Sequence, residues 1–353
     1  MTTESSRRVL IVAIATPIDG ELVGPIRAIS DRIEVLYEPD LLPPTRYPGD
    51  HHGAARFSRD ADAERRWQEL LGRAEVLFGL PDDSPASLAA LVRSNPGLRW
   101  VQGTALGTGE QLEAAGLTAE ELERVAVTSA SGVHVGPLAE FCLLGLLAFT
   151  KDLPRLRADQ RAHHWDHYPV GELRGDRANP RTGRSAPRSP GWPRRLGCTR
   201  SASTAAASAT PPHVDEADAP ERLHELLARA DAVVVTLPLT EETRGMLDGH
   251  ALGHLKPDAI LVNAGRRGVI DEPALITALG EHRLRGAALE VFATEPLPTD
   301  SPLWDLPNVL VSPHTAALSV HENERIDELF CENLRRYLAG EELLSRVDTK
   351  RFY

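Results

Sequence analysis

The sequence predicts an α/β protein of two doubly wound parallel-sheet domains. Three observations carry this reading. Short continuous apolar runs, the pattern of strands buried on both faces, alternate with helix-length segments. The alternation pauses at a long apolar helix, residues 137–150, and resumes at residue 231. The chain has 353 residues, enough for two domains of ordinary size.

The elements follow in order. Residues 9–15, VLIVAIA, read as a buried strand, 22–29 as a helix and 33–37 as a second strand. A loop rich in Pro and His, LLPPTRYPGDHHG, comes next. Residues 63–71 read as a helix, 76–79 as a strand and 85–93 as a helix; 98–102 form a strand that enters the glycine-rich loop GTALGTG. In the second half, 232–237, 259–263, 286–291 and 309–312 read as strands, with a helix at 273–281. A closing helix spans 322–338, with charged outer positions. No repeat of solenoid period interrupts this order.

Composition narrows the function. Asp and Glu number 51 against 39 Lys and Arg, a net charge of -12. Nucleic acid and anionic membrane both require a basic face, so neither is expected as a partner. The apolar stretch at 141–149 is too short to span a bilayer, and the N-terminal residues lack the pattern of a signal peptide. Cys142, Cys198 and Cys331 are scattered and odd in number, which argues against a disulfide framework and for a reduced, cytoplasmic setting. No metal site is anticipated.

One stretch breaks the pattern. Residues 176–208 contain no Val, Ile, Phe, Tyr or Met but seven Arg and four Pro. This is linker composition, at the place where a doubly wound domain needs its first strand, its glycine-rich turn and its first helix. No stable strand-turn-helix unit is expected there.

Three residues beyond it carry chemistry. Arg266 follows a strand in LVNAGRRGVID, Glu295 follows one in GAALEVFATEPLP, and His314 follows one in NVLVSPHTA. The region past the carboxyl ends of parallel strands is where open α/β sheets bind ligands. A planar, permanently charged guanidinium suits a 2-oxo acid, gripping its carboxylate and polarising its carbonyl. An imidazole can deliver a proton to the developing alkoxide near neutral pH. A carboxylate on the other ring nitrogen fixes the tautomer and favours the protonated ring. Each residue alone is more often an ordinary loop residue. Their convergence on successive strand ends is what points to a site.

The blocks SGVHVGPLAEF, TLPLTEETRGMLD, LKPDAILVNAGRRGVIDEPALITAL and GAALEVFATEPLPTDSPLWDLPNVLVSPHTA resemble the signature blocks of D-isomer-specific 2-hydroxyacid dehydrogenases. The resemblance runs from about residue 9 to residue 338, apart from the anomalous stretch. It implies two Rossmann-like domains with the active site in the cleft between them. The substrate domain would take residues 1–131 and 316–353, and the dinucleotide domain residues 132–315. It implies hydride transfer between NAD, or NADP, and a small 2-oxo or 2-hydroxy acid, in a homodimer. It places substrate binding on Arg266, the acid/base role on His314 and its partner role on Glu295. Leu106 and Gly107 would meet the substrate through backbone amides. Leu237, Pro238, Thr243, Ala264, Gly265 and Glu290 would contact the cofactor, with Glu290 standing where the family commonly has Asp. Arg267 departs from the glycine usual after the catalytic arginine.

The family also needs a Gly-x-Gly-x-x-Gly turn and a ribose-binding acid, and neither occurs here. A shifted reading frame accounts for this. If each codon is taken as the last base of one triplet and the first two of the next, residues 185–207 can read IGPAVARLAAAAGLHAVGVDRRG. In the other frame residues 176–183 can read IVLILGLG. The alternative is a true low-complexity insertion. Two other functions compete with the dehydrogenase: a cofactor-dead pseudoenzyme, and a non-catalytic, NAD-sensing binding protein like the corepressors of this fold. Formate or phosphite dehydrogenation is a nearer enzymatic alternative, which the Glu295 and His314 pair disfavours.

Overall fold

The computed structural model describes residues 8–54, 56–105, 107–173, 177–181, 199–203, 216–218 and 220–352. The chain divides into two compact units, Met1–His134 with Leu318–Tyr353, and Val135–Ala317.

In the first unit β1 (Leu10–Ile14), β2 (Ile33–Leu36), β3 (Val76–Phe78), β4 (Trp100–Gln102) and β5 (Ala126–Thr128) form a parallel sheet in the order β2-β1-β3-β4-β5. The chain winds outward from β1 in both directions, so the switch point lies between β1 and β3. Side chains alternate between two cores, as the two-residue period of a strand requires. Val12, Ile14, Phe78 and Trp100 enter one core, and Ala13, Leu77 and Val101 the other. The closing helix, Glu322–Ala339, covers the first face with Ile326, Phe330 and Leu334, spaced at four residues. Phe330 stacks on Phe78 with ring centroids 4.4 Å apart. The helices Ala61–Arg73 and Pro85–Ser94 cover the other face through Trp67, Leu70, Leu88 and Val92.

Most elements anticipated from periodicity are present, with ends moved by local chemistry. The helix expected at 63–71 starts at Ala61, because the Asp60 side chain accepts from the amides of Asp62 and Ala63. Strand β5 and the helices Thr108–Ala114 and Ala119–Arg124 were not anticipated. They are too short to show a period. The last of these is set instead by a capping box between Thr118 and Glu121.

In the second unit β6 (Arg177–Arg181), β7 (Thr199–Ser203), β8 (Glu216–Asp218), β9 (Ala232–Val235), β10 (Ile260–Asn263), β11 (Gly286–Leu289) and β12 (Val309–Val311) give the order β12-β11-β10-β9-β6-β7-β8. This is the doubly wound order with its switch point between β6 and β9. Val234, Val262 and Ala288 face the helix Val135–Thr150, while Val233, Val235, Leu261 and Leu289 face the opposite core. The helix lies very close to the sheet. A Cβ on Gly145 would stand 2.6 Å from Ala288 Cβ, and one on Gly286 would collide with the Phe149 ring.

Within residues 176–208, where no stable strand-turn-helix unit is expected, the structure does hold two strands. The backbone at 177–181 pairs with β9, and 199–203 pairs with β6. Ladder hydrogen bonds use backbone groups, so an edge such as that of β9 can pair with a segment of poor strand composition. The fit is imperfect at the level of sequence: β6 reads RANPR, and Pro180 has no amide hydrogen to give the ladder. Residues 182–198, and with them the expected position of the turn and helix, lie outside the described residues. Cys142 and Cys331 are buried free thiols; Cys198 lies outside the described residues. Among the described residues no helix is long and apolar enough to cross a membrane.

Candidate active site at the carboxyl edge of the second sheet

Parallel strands share one carboxyl edge, and β10, β11 and β12 are neighbours on it. Their register aligns Asn263 with Leu289 and Leu289 with Val311. Arg266 lies three residues beyond Asn263, and His314 three beyond Val311. Two strand spacings separate the outer strands by about 10 Å, room for a small acid over β11.

Glu295 and His314 meet directly. His314 Nδ1 and Glu295 Oε2 are 2.9 Å apart. The second carboxylate oxygen of Glu295 accepts from the Phe292 amide at 3.0 Å. Burial alone would push the Glu295 carboxyl up. The bonds from His314 and Phe292, with the charges of His314 and Arg267, outweigh burial and bring it below its usual range. Glu295 is therefore a fixed anion on one ring nitrogen. The His314 side chain is 51% exposed, so the ring is open to a ligand. Arg267, the bulky residue where the family has glycine, is exposed and adds positive charge beside Glu295.

Arg266 is half-buried, and its Nη1 donates to Gly265 O at 3.1 Å. Gly265 must be glycine, because a Cβ there would lie 2.9 Å from Leu237 O and 3.0 Å from Leu237 N. The loop bearing Ala264 and Gly265 thus presses against the loop after β9, beside the switch point. Thr243 shapes that second loop: its hydroxyl donates to Pro238 O at 2.7 Å and accepts from the Thr240 amide at 2.7 Å. Leu237 and Pro238 are half-buried, and Ala264 is buried.

Glu290 directly follows β11 and is 2% exposed. Its Oε1 accepts from the Ala316 amide at 2.6 Å, while its Oε2 is buried without a hydrogen-bond partner. Burial pushes this carboxyl up, against the pull of the Ser312 hydroxyl and the Ala316 amide. An unsatisfied buried oxygen costs about 1–3 kcal/mol. A carboxamide would satisfy it, so the residues present fit the nicotinamide end of a dinucleotide. The segment where the pyrophosphate turn is expected, 182–198, lies outside the described residues.

In the first unit Gly107 is the N-cap of the helix Thr108–Ala114, just past the end of β4; Leu106 lies outside the described residues. At the β1–β3 switch point a cavity of about 380 Å³ is lined by Ala15, Pro17, His51, His52, Arg59 and Asp83 among others. The sequence reading assigned nothing to His51, or to the buried pair it joins. His134 Nε2 lies 3.0 Å from Glu322 Oε1, and His51 Nε2 lies 3.6 Å from the same oxygen. The three residues are distant in sequence and only the fold gathers them, although DHHG and SGVHVG did mark the histidines.

The chain is similar in sequence and in fold to known proteins. Residues 143–316 match the family described as D-isomer specific 2-hydroxyacid dehydrogenase, NAD binding domain. D-3-phosphoglycerate dehydrogenase of Mycobacterium bovis is 33% identical over 298 residues, covering 79% of this chain and 53% of that protein. The chain thus spans about half the length of these curated relatives. Glyoxylate/hydroxypyruvate reductase B of Pectobacterium carotovorum is 48% identical over 121 residues, 34% of this chain and 37% of that protein. The crystal structure of a D-isomer specific 2-hydroxyacid dehydrogenase from Xanthobacter autotrophicus, in complex with NADPH and MES, superposes with a TM-score of 0.72 at 27% identity, covering 98% of this chain and 100% of the other. With the strand order, the pair at the carboxyl edge and these likenesses in hand, residues 143–316 belong to the NAD-binding domain family of the D-isomer specific 2-hydroxyacid dehydrogenases.

Proposed function

We propose that the protein reversibly reduces a small 2-oxo acid to the 2-hydroxy acid with NAD(P)H. The observation that carries this is the 2.9 Å contact between His314 Nδ1 and Glu295 Oε2 at the sheet's carboxyl edge. A ring fixed at Nδ1 by an anion presents Nε2 to the substrate as a proton donor. Arg266 grips the substrate carboxylate through its planar fork and draws charge toward the carbonyl oxygen. His314 gives its proton to that oxygen as charge develops, and Glu295 stabilises the imidazolium beforehand. Leu106 and Gly107 offer backbone amides to the substrate. Glu290 orients the carboxamide of the cofactor, and Leu237, Pro238, Thr243, Ala264 and Gly265 shape the bed on which it lies. The cofactor, when bound, supplies the hydride to C2.

The relatives suggest candidate acids: glyoxylate and hydroxypyruvate are the substrates in the name of the Pectobacterium protein. Turnover of either, followed by NADH or NADPH absorbance, tests the activity. A family member that binds cofactor weakly is a second reading, supported by the sequence of 176–208 with its missing glycine turn. Calorimetric titration with NADH and with NADPH separates the two. A homodimer and a cytoplasmic location accord with the family and remain part of the proposal.

A further inference from the structure

A cluster outside the candidate active site carries a different chemistry. His224 belongs to the helix Leu223–Arg229, and His250 and His254 to the helix Gly249–Gly253 and its C-cap. The ring centroids of His224 and His254 are 4.5 Å apart, and those of His250 lie 4.9 Å from both. One nitrogen from each ring can be chosen so that all three lie within 4.8 Å of one another. We propose that these three histidines bind a divalent transition-metal ion of borderline softness, with zinc as the ion that fits, and that the ion ties the two helices together.

The donor set suits that ion. Neutral imidazole is a common ligand for zinc, copper and nickel, whereas magnesium and calcium prefer oxygen. Tetrahedral zinc with Zn–N of about 2.0–2.1 Å needs nitrogens about 3.3 Å apart, so small side-chain rotations close the site. Water completes the fourth position. The spacing of His250 and His254 places both on one face of a helical turn.

The scaffold is rigid where it must be. Leu223 and Leu227 flank His224 in its helix and share a core with Ala251, Leu252 and Leu255, the neighbours of His250 and His254. Asp248 caps the second helix by accepting from the Ala251 amide at 2.8 Å. The backbones are thus held by packing while the rings stand at the surface. Among the described residues none of the three rings makes a hydrogen bond or ion pair, so binding breaks no existing hydrogen bond and competes only with the contacts of the rings among themselves. In sequence, the helix Gly249–Gly253 follows the loop that holds Pro238 and Thr243.

The test is titration of the full chain with zinc chloride by calorimetry, beside the single His224→Ala variant and the triple variant His224→Ala, His250→Ala, His254→Ala. The wild-type chain should bind one zinc with a Kd of about micromolar order. The single variant should lose roughly tenfold or more in affinity, and the triple variant should lose the site. Zinc at a hundredfold excess over Kd should raise the Tm by roughly 5 °C in the wild type only. Cobalt should give the absorption bands of a tetrahedral site in the wild type and not in the triple variant. The substitutions are at the surface, and retained circular dichroism checks the fold. Zinc binding of equal strength and stoichiometry in the triple variant would overturn the proposal, because the ion would then sit on other histidines. Binding no tighter than millimolar in the wild type would overturn it too.

Discussion

His314 holds its ring against Glu295, Nδ1 to Oε2 at 2.9 Å, from a backbone in the left-handed region, φ 53°. That conformation costs a residue with a Cβ about 1–2 kcal/mol. Its amide also bonds to Ser312 O at 2.9 Å across Pro313. A strained turn that aims an imidazole at a carboxylate is the arrangement expected where orientation serves chemistry.

Glu295→Gln tests the pair. The amide keeps the shape of the side chain but loses the charge, and it can present a donor to Nδ1 and so favour the wrong tautomer. Reduction of hydroxypyruvate should slow by roughly a hundredfold in kcat with KM little changed. A kcat within threefold of wild type would show that Glu295 does not support His314 in catalysis.

Arg266→Lys separates a fork from a point charge. Lysine preserves the charge but cannot hold a carboxylate and an adjacent carbonyl in one plane. We expect kcat/KM to fall by roughly 100-fold or more, with KM for the 2-oxo acid raised. Wild-type kcat/KM in this variant would move substrate anchoring to another residue.

Cofactor binding should expose the anomalous stretch. The two shifted readings, joined through Arg184, give Gly-Leu-Gly-Arg-Ile-Gly, the fingerprint that the family requires. A restored chain carrying IVLILGLG at 176–183 and IGPAVARLAAAAGLHAVGVDRRG at 185–207 should bind NADH at least tenfold tighter than the present chain. Activity of the Glu295 and Arg266 variants is best read in that restored background. Equal, tight binding by the two chains would remove the frameshift account and leave the Arg- and Pro-rich segment as a cofactor-binding element of a new kind.

Glu322 should govern acid stability of the first unit. Burial would raise its carboxyl, but the hydrogen bond from His134 and the nearby His51 imidazole outweigh burial and hold it at about 2, below the ordinary 4.5. A folded value below the unfolded one means that the stabilisation is complete above pH 4.5 and is lost as the pH falls toward 2. The difference amounts to about 3 kcal/mol. Urea unfolding at a series of pH values should show this loss in the wild type and a flatter profile in Glu322→Gln. Parallel profiles would mean that Glu322 titrates as an ordinary carboxylate.

The sequence alone determined β1 to β4 of the first sheet and β9 to β12 of the second, and it marked the three residues of the candidate site. The reason is local. A buried parallel strand is written in consecutive apolar residues, and Arg266, Glu295 and His314 each follow one within a few positions. Short elements such as β5 carry no period to read. Strands β6 to β8 carry the wrong residues, and only the open edge of β9 and the backbone ladder reveal where they pair. The 2.9 Å contact of Glu295 with His314, the unsatisfied oxygen of Glu290 and the closeness of Gly265 to Leu237 were settled by tertiary structure. So were the buried meeting of His51, His134 and Glu322 and the approach of His224 to His250 and His254. The spacing of His250 and His254 was visible in GHALGH, but their third partner was not. Periodicity binds neighbours in sequence, whereas these contacts join residues brought together only when helices and strands bury their apolar faces.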